Sequence, residues 1–276
     1  MSWTIAFTQL AVAATDEPDP EVPFHLPSIS EFFPPAIFGA GTPYEFNRVM
    51  MVRVIMAVVI IWLLLKAVRR LNIVPGRAQN VWELLYDFIR VQIAEDTLGV
   101  ERGRKHLPWL VTLFVSIMLF NLAGEIPGLN MPATARVGLP FLFAVGTYIA
   151  YFAAGIKAHG VGGFLKNSLF PAGVPPVLYI IITPVEALQV FITRPLTLMI
   201  RLTANMVAGH LLLVLAFSAT HFLVFEAGGL VKVAGGLTYL GGLALTLFEM
   251  FVAALQAYIF TLLSAVYINM TESSDH

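Results

Sequence analysis

The chain has 276 residues, of which 58% are hydrophobic and only 12% charged, with a formal net charge of −1 and no cysteine. A soluble domain carries about a quarter charged residues, so a chain this apolar has lipid for its solvent. The charge balance argues against nucleic-acid binding, and the missing thiols exclude disulfides, thiolate metal sites and cysteine nucleophiles.

The N-terminal stretch Ile5–Ala14 ends in small residues, but no positive segment precedes it, so a cleaved leader finds little support. Residues 15–47 are rich in proline and acid (Asp16, Glu17, Asp19, Glu21) and hold no lysine or arginine. That composition predicts an extracytoplasmic tail, residues 1–47, with little regular structure. A single membrane domain is expected over 48–272, followed by a short cytoplasmic tail at 273–276.

Spanning helices need roughly 20 apolar residues. Val49–Leu65, Leu107–Ala123 and Gly138–Ile156 qualify, the second bounded by the turn signal Ile126-Pro127-Gly128. Between the first two, Trp82, Leu85, Phe88 and Ile89 recur at helical spacing against Glu83, Asp87 and Arg90. This predicts an amphipathic helix over Val81–Leu98, lying at the membrane surface.

The last hundred residues differ. Val174–Phe225 is an almost unbroken apolar stretch, punctured by Glu186, Arg194 and Arg201, and Leu230–Met270 resumes after Gly228-Gly229. Helices of more than about 30 residues exceed a bilayer core of about 30 Å. They must tilt steeply or run partly along the membrane plane. An alternative divides the first stretch at Arg194-Pro195 into two shorter spans. The fold class expected is therefore an all-α integral membrane protein. It has about five membrane-embedded helices and one amphipathic surface helix, the last two spans forming a long, steeply tilted antiparallel hairpin.

Basic residues set the orientation. Lys66, Arg69, Arg70, Arg77, Arg102, Arg104 and Lys105 lie between the first and second spans, and Lys157 and Lys166 follow the third. The positive-inside rule puts the N-terminus outside, and five crossings put the C-terminus in the cytoplasm.

Ionisable groups inside a membrane are expensive and rarely idle. Four stand out, Arg201, His210, Glu249 and Glu186, accompanied by polar Asn205 and Gln256. Arg201 is a fixed positive charge, and Asn205 continues its polar face one turn on. A snorkelling arginine is the bland alternative. Folded about Gly228-Gly229, the hairpin sets Arg201 level with Gln256 and His210 level with Glu249. A histidine–carboxylate pair there can pass protons near neutral pH. Yet Arg201 and His210 are about half a turn apart on an ideal helix. Either they face opposite ways or the helix bends. Glu186 lines an inner water path or pairs with Arg194. No metal-ligand spacing, hydrolase signature or phosphate loop is present, so no metal and no cofactor is expected.

The segment Arg194-Pro195-Leu196-Thr197-Leu198-Met199-Ile200-Arg201-Leu202-Thr203-Ala204-Asn205-Met206-Val207-Ala208-Gly209-His210 resembles the signature of the a subunit of F-type ATP synthases. Leu255-Gln256-Ala257-Tyr258-Ile259-Phe260, followed by Tyr267, is similar to that family's closing motif, and Asn121–Gly128 to its N-L-x-G-x-I-P-G turn. The likeness runs over most of residues 45–272 in motif order.

The resemblance implies a non-catalytic proton-translocating stator subunit in a bacterial plasma membrane. Its implied partners are an oligomeric c-subunit ring, b-type peripheral stalk subunits and the lipid bilayer, with no nucleic acid. Arg201 matches the arginine that faces the c-ring carboxylate. Asn205, His210, Glu249 and Gln256 match positions of the proton path, and Glu186 falls one position from an acid of some members. Some members carry Glu where His210 stands and His where Glu249 stands, an exchange that keeps an acid–imidazole pair. The rival readings are a proton-coupled secondary transporter, whose internal repeats are missing here, and a haem- or quinone-binding subunit, whose paired histidines on facing helices are missing.

Overall fold

The computed structural model describes residues 27–39, 46–69, 76–126, 129–170, 175, 178–226 and 231–272. Ile5–Ala14, the acids at 16–21, Pro127-Gly128, Gly228-Gly229 and the last four residues lie outside these described residues.

Among the described residues, five helices are long and apolar enough to cross a membrane. The first, α1 (Arg48–Arg69), follows a 3₁₀ turn (Ile29–Phe32) and two short antiparallel strands, β1 (Ala36–Phe38) and β2 (Phe46–Asn47). Part of the tail expected to lack regular structure is thus ordered. The cause is tertiary, since the Arg136 Nε–H donates to the Phe32 carbonyl at 2.7 Å and the Phe32 side chain is buried.

The amphipathic helix α2 (Arg77–Ile89) starts one turn earlier than its apolar pattern indicates. It runs through a wide π-type turn, Arg90–Glu95, into the single turn α3 (Asp96–Leu98). Arg90 bridges Glu95 at 2.9 Å and Asp87 at 3.5 Å, and the Glu95 hydrogen bond raises the affinity of the Arg90 guanidinium for its proton. Gly99, with a positive φ of 78°, turns the chain into α4 (Val100–Leu122). A Cβ on Gly103 would meet the Ala94 carbonyl oxygen at 2.8 Å, so glycine sets how closely α4 crosses the π-type turn. The principal core forms there: Ile89, Ile93 and Leu98 pack with Leu110, Leu113 and Ile117 of α4.

The third span, α5 (Gly138–Leu169), is longer than the stretch to Ile156 that hydropathy indicates. Gly160 (φ 71°, ψ 169°) kinks it, and a Cβ at Gly155 would overlap the Phe164 ring, which folds back over Tyr151. The final turns are held by aromatic packing that periodicity does not reveal.

The fourth span runs from α6 (Tyr179–Leu188) through a π segment (Gln189–Thr193) into α7 (Arg194–His221) and a last π turn (Phe222–Glu226). Arg194-Pro195 does not divide it: the 48 residues Tyr179–Glu226 form one continuous span. Proline lacks an N–H and crowds the carbonyl four residues back. The π segment widens the ladder just before Pro195 and absorbs that misfit. Tyr148 of α5 donates its O–H to the Val190 carbonyl at 2.6 Å, securing a carbonyl within this widened stretch.

The last helix, α8 (Val231–Glu272), packs against α4, α5 and α7. Both α7 with its flanking turns and α8 exceed a bilayer core of about 30 Å. They cannot stand upright within it.

Candidate functional site

The loop between α4 and α5 is drawn onto α1 by arginines. Arg48 donates to the Leu129 carbonyl at 3.1 Å, and Arg53 to the carbonyls of Ala133 at 3.0 Å and Arg136 at 3.1 Å. Thr134 donates to Asn121 at 2.8 Å, and the Asn121 amide reaches the Ala253 carbonyl of α8 at 3.4 Å. These bonds put Gly124, Glu125, Asn130 and Met131 beside α7 and α8. Together with the 3₁₀ turn they border an open cleft of about 1050 Å³, lined among others by Glu31, Glu125, His210, Ser218, His221 and Thr246. Burial pushes the Glu125 carboxyl above the usual carboxylate range.

His210 faces this cleft, its ring 5.3 Å from that of Phe32. Glu249 does not pair with it. Glu249 is 6% exposed, and its carboxylate lies over Gly209, where a Cβ would meet its oxygens and carbon at well under 3.0 Å. Neighbouring residues on a helix point about 100° apart, so Gly209 takes the surface facing Glu249 and His210 turns to the cleft. The predicted level of the two side chains is right, and their direction is not. Glu249 lies one turn beyond Thr246 of the cleft wall and is electrostatically coupled to Glu125.

Deeper in the hairpin, the Asn205 amide donates to Gln256 Oε1 at 3.0 Å. Asn205 therefore meets Gln256, which sequence levels had set opposite Arg201. The Gln256 Nε2 is buried and has no partner among the described residues. Arg201 stands on the open side of α7, exposed together with Ala204, Asn205 and Ala208. No bend intervenes between Arg201 and His210, because α7 is regular from Arg194 to His221. Arg201 and His210 consequently face different ways. Among the described residues no carboxylate forms an ion pair with Arg201.

Glu186 is half-buried on α6 and makes no ion pair with Arg194 among the described residues. Arg194 instead stacks its guanidinium over the Tyr267 ring at 5.4 Å, and Tyr267 feels the charges of both Arg194 and Arg201. Among the described residues no group of three metal-ligating side chains is found.

Sequence reasoning missed Glu31, Glu125 and Gly209. A Ser28-x-x-Glu31 spacing was a local signal for an ordered turn. Gly209 stands in the signature segment, but what it packs against is not legible until its partner helix is known.

Residues 49–269 match the family model of the ATP synthase A chain. The chain belongs to that family. It is 42% identical over 252 residues to ATP synthase subunit a of Rhodococcus erythropolis, covering 91% of this chain and 92% of that one. It is 37% identical over 245 residues to ATP synthase subunit a of Paenarthrobacter aurescens, covering 89% and 92%. Family membership and the five apolar helices make it a multi-pass membrane protein. It is the proton-channel subunit of an F-type ATP synthase, a complex it forms with other subunits of that machine.

Proposed function

We propose that this chain conducts protons through two offset half-channels to a c-subunit ring, with Arg201 facing the ring's carboxylate. The observation that carries the reading is the open position of Arg201. A permanent cation lies on an exposed face of an apolar helix, with no carboxylate of the described residues paired to it. Such a charge is costly in lipid unless an anion answers it, and a passing rotor carboxylate does so.

In this mechanism a proton enters the cleft from the extracytoplasmic side and moves past His210 and Glu125 to Glu249. The Asn205–Gln256 pair leads from there towards the rotor. The proton neutralises a ring carboxylate, which can then turn into lipid. After nearly a full revolution the site meets Arg201, whose charge favours ionisation and sends the proton into an inner half-channel, with Glu186 near its wall. Arg201 also blocks leakage between the two paths. Each charge crossing 100 mV yields about 2.3 kcal/mol, so several must cross per ATP.

The chain itself catalyses no bond change; synthesis belongs to other subunits. A b-type stalk holds it against the ring in a bacterial plasma membrane. Residues 48–272 act as one membrane unit, with 1–47 outside and 273–276 in the cytoplasm.

The test is ATP-driven proton pumping in inverted vesicles carrying Arg201→Ala. Pumping is expected to vanish while ATP hydrolysis by the extramembrane sector persists. Substantial coupled pumping would overturn the assignment.

A further inference from the structure

The cleft owes one of its acids to a segment outside the spanning helices. Residues 27–35 include three prolines, and such a stretch has little tendency to order by itself. Here it is tied down at several points. The Phe32 side chain, 3% exposed, is inserted among Ala135, Met206 and Ala253, so that it joins the α4–α5 loop to both arms of the hairpin. Arg136 donates to the Phe32 carbonyl at 2.7 Å and lays its guanidinium over the Phe33 ring at 4.8 Å. The backbone N–H of Ser28 donates to Glu31 Oε1 at 3.3 Å, which fixes the carboxylate on the turn.

The result is directional. Phe32 packs its ring against His210 while Glu31, the preceding residue, shares the cleft with that imidazole and interacts with it electrostatically. An anchor set this deep is more than is needed to tether a tail.

We propose that residues 28–33 form a strap across the proton-entry cleft, in which Phe32 fixes the His210 ring and Glu31 is a positioning residue that sets a carboxylate at the entrance beside it. This rests on the proton-path reading above. The other charged or titratable groups around His210 are Arg48 from the start of α1, Glu125 from the α4–α5 loop, His221 on α7 and Glu249 on α8. Arg136 acts from behind Phe32. Of the two cleft acids, Glu125 is the one whose burial opposes its charge. Glu31 is the acid carried by the strap itself, where the Ser28 N–H holds its carboxylate.

A nearby negative charge favours a protonated imidazole. Removing it makes proton loading demand a more acidic outer medium. The experiment uses the whole ATP synthase in proteoliposomes. Proton flux is followed at fixed membrane potential while only the pH on the extracytoplasmic side is varied. For Glu31→Gln the flux profile is expected to move to lower pH by about half a unit, with flux at the acidic end within about twofold of the parent. Phe32→Ala, which releases the strap, should move the profile the same way, and Glu31→Asp should leave it near the parent. A Glu31→Gln profile that superimposes on the parent's, or is scaled down equally at every pH, overturns the proposal. Lost assembly lowers such a curve without moving it, so position and height are separable. If Arg201→Ala abolishes pumping while Glu31→Gln leaves the profile in place, the strap fails and the channel reading stands. If Arg201→Ala still pumps, the channel reading itself has failed.

Discussion

Two spans of this chain are solvated in different ways. In an eighteen-residue apolar window of Val100–Leu122, 56% of the residues are buried within the chain; in one of Tyr179–Glu226, only 11% are. Both are long and apolar, so hydropathy does not distinguish them. The first is enclosed by α2, the π-type turn after it, α5 and α8, with Leu110, Leu113 and Ile117 almost wholly covered. The second presents Ile180, Ile192, Ile200 and Leu212 outwards. One span is scaffold, and the other is a surface awaiting lipid or another subunit. The polar groups follow the same division: Asn121 is bonded on both sides, whereas Arg201 looks outwards.

The contrast can be tested where the open helix meets its own chain. Gly209 is tightly opposed by the Glu249 carboxylate, whereas Gly236 on α8 has nothing within 4 Å of an added Cβ. Overpacking of about 1–3 kcal/mol at Gly209→Val should displace Glu249 and reduce ATP-driven pumping about tenfold. Gly236→Ala should pump normally. Equal pumping by both variants would mean that the seat of Glu249 is irrelevant to transport.

A smaller effect separates the two spans by stability. Ile117→Ala removes a fully buried side chain and should cost about 2 kcal/mol, chiefly through the cavity left behind. Ile200→Ala, at a position 50% exposed, should cost well under half of that. Reversible unfolding of the purified chain in bicelles measures both. Similar losses would show that the face of α7 bearing Arg201 is packed in the isolated subunit.

The smallest effect concerns the hairpin's polar bond. Asn205 and Gln256 are joined at 3.0 Å, and bonds of this kind between membrane helices average about 0.6 kcal/mol. A double-mutant cycle of Asn205→Leu and Gln256→Leu should return a coupling of that size. Zero coupling would leave both side chains free to serve the proton path independently.

Much of this architecture was legible in one dimension. Lipid demands long apolar helices and makes intramembrane charge rare, so the spans, the hairpin and residues such as Arg201, His210 and Glu249 stand out by composition alone. Levels along the hairpin were readable to within about one turn, because rise per residue is constant. Azimuth was not. Whether His210 or Gly209 meets Glu249 depends on how α7 is rotated against α8, and packing rather than periodicity sets that rotation. The fate of Pro195 likewise depended on a π segment that Tyr148 helps to hold from another helix. Glu31 and Glu125 entered the cleft through arginine-to-carbonyl bonds between segments as far as 104 residues apart. Bonds of that range leave no pattern in the chain, so only the tertiary structure could decide which acids surround the histidine.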